Sequence, residues 1–305
     1  VRPLAITLGD PAGIGSEVVL KALADLDVPV HLFGSRAHAT GSIPKNTPFT
    51  DVGAEDGIQP GEESAAAGRV ALASIDAALA AIARGECSAL VTAPIHKGAI
   101  AKAGSKYPGH TELLAAKAGL TQYGRDYAMY FDSPTIRTVL LTVHVPLREA
   151  IAAIAADSIR DLAALTSRDY ARLHGSRPRI AVAGVNPHAG EGGRFGREED
   201  IIAAGVELAR AAGLSISGPH PPDTVFLAAR NGKYDVVMAM YHDQGLIAVK
   251  TLEFERSVNV TIGLPYLRVS VDHGTAFDIA GRGIADGTPM SYAIDWAARH
   301  AGRWS

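Results

Sequence analysis

The stretch 235-DVVMAMYHDQG-245 decides how the fold is read. Val236 to Tyr241 is apolar at every position rather than at every second one. An alternating run keeps one face in water, whereas an uninterrupted one belongs to a strand covered on both faces, as in a parallel sheet flanked by helices. Six more short runs share its length and apolar, often β-branched character: PLAITL, PVHLFG, SALVTAP, TVLLTVH, RIAVAGV and VNVTIGLP. Between them lie Ala- and Leu-rich segments with helical patterning. EESAAAGRVALASIDAALAAIARGE opens with acidic residues that suit a helix N-terminus and closes on Arg84-Gly85. SEVVLKALADL, REEDIIAAGVELARAAG and PMSYAIDWAARHAG read the same way. Strand and helix in alternation give an α/β fold with mainly parallel sheets. The expected arrangement is two α/β/α lobes around a central cleft, residues 1–130 plus 266–305 forming the first lobe and 131–265 the second.

The 305 residues are 47% hydrophobic and 20% charged, enough for a sizeable core. A net charge of -3, with no Lys/Arg cluster interleaved with aromatics, argues against a nucleic-acid partner. A lone cysteine, Cys87, closes no intrachain disulfide and fits a reducing compartment. No uninterrupted apolar stretch approaches the roughly 18 residues of a membrane span, and the opening VRPLAITLGD has no signal-peptide pattern. A cytoplasmic protein with no membrane partner is expected.

Three strand-like runs end on histidine: TVLLTVH on His144, RIAVAGVNPH on His188 and DVVMAMYH on His242. Loops beyond the carboxyl ends of strands in open α/β sheets converge on the ligand crevice. Three neutral imidazoles meeting there would hold a divalent ion and leave positions open for substrate oxygen. Each alone reads more readily as a satisfied or surface imidazole; it is the three together that point to a joint site. Asp243 follows His242, and Asp223 opens DTVFLAARNG; either could orient an imidazole or take a proton, and Asp223 also suits a helix N-cap.

ITLGDPAGIGSEVVLKAL is a strand, a glycine-rich turn and a helix, in which Gly13 and Gly15 would let backbone N–H groups approach an anion or simply make the connection. Neither GxGxxG nor GxxxxGK[ST] occurs. His110 and Thr111 stand at a helix start, and Lys250, Asn259 and Arg268 recur downstream, a set suited to phosphate or carboxylate but also to a solvated face. His96 and Lys97 follow another buried run and read as loop residues or site candidates.

The stretches GDPAGIGSE, TAPIHKGAI, YPGHTE, HVPLRE, NPHAGEGGRFGREE, PPDTVF, AMYHDQGL and VNVTIGLPYLRVSVDHGTAFDIAGRG, taken together, resemble the 4-hydroxythreonine-4-phosphate dehydrogenase family of vitamin B6 biosynthesis, from about Leu4 to Asp286. The resemblance implies an isocitrate/isopropylmalate dehydrogenase-like fold in a homodimer whose active site both subunits share. It implies metal ligands His144, His188 and His242 for one divalent ion (zinc, magnesium or cobalt), and substrate contacts from His110, Thr111, Lys250, Asn259 and Arg268. GDPAGIGSEVV is similar to the GDGIGPEV opening of the wider group, and DHGTAFDIAGRGIAD to its adenosine-binding loop. By that similarity Gly13, Gly15, His273, Gly274, Asp278 and Asp286 would contact NAD, or NADP in its place, although the Asp278 carboxylate disfavours the extra phosphate. Phe277 and Ser16 stand where the wider group has proline. The implied reaction is oxidation of 4-phosphooxy-L-threonine to a β-keto acid that loses carbon dioxide, with Asp243 or Asp223 taking the proton. Sibling dehydrogenases act on threonate or erythronate 4-phosphate or on aromatic cis-dihydrodiols. A metallohydrolase would share the metal site without a nicotinamide pocket, and a silent binding protein would retain ligand without turnover.

Overall fold

The computed structural model describes residues 2–304. Its strands are β1 (Leu4–Thr7), β2 (Val30–Gly34), β3 (Phe49–Asp51), β4 (Ala89–Thr92), β5 (Ala128–Asp132), β6 (Arg137–Leu140), β7 (Ile180–Ala183), β8 (Ile216–His220), β9 (Val236–Ala239), β10 (Val258–Ile262) and β11 (Leu267–Ser270). The helices are α1 (Gly15–Ala24), α2 (Ala65–Ala83), α3 (Lys97–Lys102), α4 (His110–Lys117), α5 (Leu147–Ala152), α6 (Ala156–His174), α7 (Glu198–Ala211), α8 (Pro222–Arg230), α9 (His242–Glu253) and α10 (Thr288–Trp304). The chain divides into two compact units. Unit 1 runs up to Ala118 and resumes at Pro265; unit 2 is Gly119–Leu264.

In unit 1 the strand order is β3-β2-β1-β4-β11, every neighbouring pair parallel. LAIT of β1 and ALVT of β4 are buried at all positions, the consequence of helices on both faces that their unbroken apolar runs predict. Helix α2 lies on β1 and β2, and α10 on β11 and β4. By length and composition alone α2 could cross a membrane, but Ala67, Val70, Ala71, Ile75 and Ala78 are buried within this unit. Ser64 caps it, its Oγ accepting from Ala67 N at 3.1 Å, so Glu62 and Glu63 stand before the helix rather than in its first turn. The acidic opening expected of this helix has another use: Glu63 pairs with Lys102 at 3.0 Å and faces His96.

Unit 2 has the order β10-β5-β6-β9-β7-β8. The first two pairings are antiparallel and the other three parallel, so the run from β6 to β8 aligns its carboxyl ends on one edge. Helix α9 packs on β6 and β9, and α8 on β7 and β9. Residues 119–130, expected in the first lobe, lie in unit 2, because β5 pairs with both β10 and β6. Asp223 is not the N-cap of α8. Pro221 holds that place, and Asp223 is an exposed residue of the first turn.

Candidate active site

Strands β6, β9 and β7 are parallel neighbours, and the loops leaving them carry His144, His242 and His188 in turn. The His144 and His242 rings lie 5.5 Å apart, centroid to centroid, in the wall of a cavity of about 210 Å³ that Thr142, Leu147, Tyr241 and Asp243 also line. His242 begins α9, and its Nδ1 is 2.7 Å from Asp243 Oδ1. A carboxylate on Nδ1 fixes the ring and leaves Nε2 as the nitrogen able to donate electrons to an ion, the outer arrangement usual around metal-bound histidine.

Backbone strain marks the same places. His144 has φ +48° and His188 φ +53°, left-handed values that cost a non-glycine residue roughly 1–3 kcal/mol and that cluster at functional sites. His188 opens a left-handed turn continued by Ala189, Gly190, Glu191 and Gly192. Among the described residues no three His, Cys, Asp or Glu side chains stand close enough together to hold an ion. The structure therefore brings two of the expected ligands together, and they fit a divalent ion in donor type and approach. The third stays on its own turn.

Lys250 lies on the α9 face of His242 and Leu246, two turns or about 12 Å along the axis, and a cavity of about 420 Å³ follows that face. Asn259 is buried on β10, opposite Phe131 of β5, and its Oδ1 has no partner. In unit 1, Arg268 is 2% exposed within β11, its Nη2 donating to Thr92 Oγ1 at 2.8 Å. Burial pulls its guanidinium down to about 10, which still leaves it charged at neutral pH. Thr111 is buried in the first turn of α4, behind a Gly109 cap, so it does not cap that helix. His110 beside it has a buried Nε2 without a partner; burial and the Arg268 charge drive its pKa well below the ordinary imidazole value. A buried polar atom left without a partner costs about 1–3 kcal/mol unless something fills the vacancy, so His110 and Asn259 each present a group ready for a ligand.

The expected cofactor residues divide. A side chain at Gly13 would meet Thr275 Cβ at 3.0 Å, and one at Gly15 would overlap Leu8 O; both glycines answer to packing of the β1–α1 turn. Asp286 Oδ1 accepts from Thr288 N at 2.9 Å and Thr288 Oγ1 at 2.7 Å, so this oxygen fastens the start of α10. His273 Nε2 is buried without a partner, while Gly274 and Asp278 are exposed with open space at the glycine. His96 caps α3 through Nδ1 and stacks on Phe277 at 4.5 Å, which makes it part of the frame of this loop. Sequence reasoning passed over Asp10, Tyr266 and Gln244. Asp10 is fully buried just beyond β1, with Oδ1 held by Ala12 N, Oδ2 without a partner and its carboxyl pKa raised by burial. Tyr266 hides its hydroxyl two residues from Arg268, and burial pushes it up to about 12. A carboxylate at the exit of an apolar strand was the signal available for Asp10; the other two had none.

The chain matches the family described as Pyridoxal phosphate biosynthetic protein PdxA over residues 7–297. It is 44% identical to a 4-hydroxythreonine-4-phosphate dehydrogenase of Beijerinckia indica, across 98% of this chain and 95% of that one. It is 40% identical to a D-threonate 4-phosphate dehydrogenase of Pectobacterium atrosepticum, across 98% and 99%. The solved 4-hydroxythreonine-4-phosphate dehydrogenase of Klebsiella pneumoniae superposes with a TM-score of 0.88 at 39% identity, covering 99% of this chain and 100% of that one. Full-length matches at this identity, over a scaffold with histidines at three adjacent strand exits, establish that the chain belongs to the PdxA family.

Proposed function

We propose that the chain is the dehydrogenase that oxidises 4-phosphooxy-L-threonine with NAD, forming 2-amino-3-oxo-4-phosphooxybutanoate, which loses carbon dioxide to give 3-amino-2-oxopropyl phosphate on the way to pyridoxal phosphate. The observation that carries this reading is the approach of His144 and His242 at neighbouring strand exits, in a chain whose relatives at about 40% identity bear dehydrogenase names. His144 and His242, with a His188 as the third imidazole, would hold a divalent ion (zinc, magnesium or cobalt). When bound, that ion would supply an electrophile for the oxygen that gains negative charge during both oxidation and decarboxylation.

The remaining work falls to this chain's own groups. Arg268 and Lys250 supply fixed positive charge for the phosphate and carboxylate ends of the substrate, and Asn259, Thr111 and the neutral His110 supply directional hydrogen bonds. Asp243, already on His242 Nδ1, orients that ring. Asp223 or Asp243 would take the proton of the substrate hydroxyl, and a bound nicotinamide would supply the hydride acceptor. His273, Gly274 and Asp278 would face the adenosine part of the cofactor. Unit 2 leaves Leu147, Leu227, Ile247 and Phe254 at least 49% exposed, apolar surface that a second copy in a homodimer would cover.

A second reading, D-threonate 4-phosphate as substrate, draws on the relative of that name. The two differ only in an amino or a hydroxyl group at the carbon bearing the carboxylate. NADH absorbance with each compound, with and without added zinc, magnesium or cobalt, tests both. Turnover of 4-phosphooxy-L-threonine at a kcat/KM at least about tenfold above its rival is the expected result; the reverse order transfers the activity to the sugar acid. NAD-independent cleavage without NADH would sink both.

A further inference from the structure

Two stretches that the sequence sets more than 260 residues apart meet in unit 1, and a lysine and a glutamate of α1 hold them together. Lys21 Nζ donates to Glu17 Oε1 at 2.9 Å, one turn back on the same helix face, and to Gly283 O at 2.9 Å and Ala285 O at 2.7 Å. An ammonium has three donors, and these three acceptors use them all. Lys21 therefore borders a cavity of about 430 Å³ with no hydrogen left for an anion there. Buried Glu17 closes the ring, its Oε1 also accepting from Ala285 N at 2.8 Å. The other end of the loop is fixed from the turn between β1 and α1. Ile14 N donates to Thr275 O at 3.1 Å, and Asp10 shapes that turn by accepting from Ala12 N at 2.8 Å. Ala12 O accepts from Gly61 N at 2.7 Å, and a Cβ on Gly61 would meet Phe277 O at 2.7 Å. Between the two fixed ends stand Phe277 and exposed Asp278.

We infer that Lys21 and Glu17 are positioning residues: by pinning Gly283 and Ala285 to α1, while Ile14 pins Thr275, they hold the loop 273–286 in the shape that receives the adenosine part of the cofactor. This rests on the cofactor reading above. The physical warrant is preorganisation, since a loop ordered before the ligand arrives loses little further conformational freedom on binding it. Removing the ammonium has two separate effects. Two loop carbonyls lose their donor, and Glu17 is left as a buried charge without its counterion, which destabilises the fold by itself. The glycines on either side fit the same role. Gly13 lets Thr275 lie against the turn, and Gly287, where a Cβ would meet Lys21 Cβ at 2.9 Å, lets the chain leave the loop beside the lysine stem.

The test is NADH binding to the full chain, followed by nicotinamide fluorescence and calorimetry, beside the kinetics of NAD reduction by the phosphorylated hydroxy acid. Lys21→Met should weaken NADH binding and raise the KM for NAD by about tenfold, the effect of a loop correctly placed about a tenth of the time, with kcat at saturating NAD within about twofold of wild type. Glu17→Gln combined with Lys21→Met removes the buried charge along with its partner, so the melting temperature should partly recover while NADH affinity stays weak. Arg84→Gln, which breaks a surface pair with Glu86, should leave affinity and KM alone. In the wild-type chain the Ile14 and Ala285 amides should gain hydrogen-exchange protection together as NADH is added, a measurement that needs no variant to fold. Wild-type NADH affinity in both Lys21 variants, or failure of either amide to gain protection when NADH binds, overturns the tie while leaving the cofactor loop standing. Recovery of NADH affinity together with melting temperature in the double variant also overturns it, because the loss then belongs to general instability. Failure of the wild type to bind NADH, or unchanged binding in Asp278→Ala, overturns the cofactor reading and the tie with it.

Discussion

His110 enters the first turn of α4 with Nε2 buried and without a partner, and burial followed by the Arg268 charge lowers its pKa well below 6.5. In the unfolded chain the ring titrates near its ordinary value of about 6.5. The unfolded state therefore binds the extra proton first as pH falls. Stability from this residue is present in full above about pH 6.5 and is lost progressively below it. His31 and His220 are lowered by burial in the same sense, so the slope is shared. The melting temperature of the wild type should fall between pH 7.5 and pH 5.5, and His110→Gln should flatten part of that fall; an equal fall in the variant would mean that the buried imbalance lies elsewhere. At this scale the strand-exit placement of His144, His188 and His242 was legible because each follows an apolar run, a position with chemical meaning in any α/β sheet. The place of Gln244 was not, since its amide donates to a glycine carbonyl 60 residues away, a contact that only the fold creates.

Close packing governs the elements, and glycine marks where it is tightest. Gly68 sits inside α2 where alanine would ordinarily gain about 1 kcal/mol of helix propensity. Here a Cβ would overlap Ala99 O of α3, and backbone yields less readily than a side-chain tip. A Cβ on Gly205 of α7 would meet Ile159 Cβ at 2.8 Å and Ala156 O at 2.9 Å across the contact with α6. Gly68→Ala and Gly205→Ala should each destabilise the fold by about 1–3 kcal/mol despite the better helix former, read as a lower midpoint in urea at unchanged slope. A gain in either would show that the helices can part without cost. The Ala-rich face of α2 announced such packing in the sequence, as the apolar runs announced β1, β4 and β9. The strands that stayed hidden have physical reasons to be. Edge strands β3 and β8 are short or interrupted by Gly218 and Pro219, and an edge tolerates both. Strand β11 carries Arg268 in its middle, so a charged residue that reads as surface lies in the core.

Across the whole molecule the proposed roles are not shared evenly. All three histidines, with Asp223, Asp243, Lys250 and Asn259, belong to the contiguous segment Gly119–Leu264, whereas His110, Thr111, Arg268 and the cofactor loop belong to the unit formed by the two ends of the chain. Alternating strands and helices made two α/β units readable, but their borders depend on which strands pair, and β5 could be assigned only once its partners were known. This division makes metal and substrate separable in their effects. An ion held by the histidines binds the native state alone, so at a free concentration of about 100 times its Kd it should add about 2.7 kcal/mol, or on the order of 5–10 °C in the melting temperature of a segment this size. Hydrogen-exchange protection from metal alone should then concentrate within residues 119–264, around 142–144, 186–190 and 240–243. Adding the phosphorylated hydroxy acid should extend it to His110, Thr111 and β11. The two additions, made in that order, separate the alternatives: metal protection centred on the unit of Arg268 would place the ion away from the strand exits, and substrate protection confined to residues 119–264 would remove Arg268 and His110 from the anion-holding set.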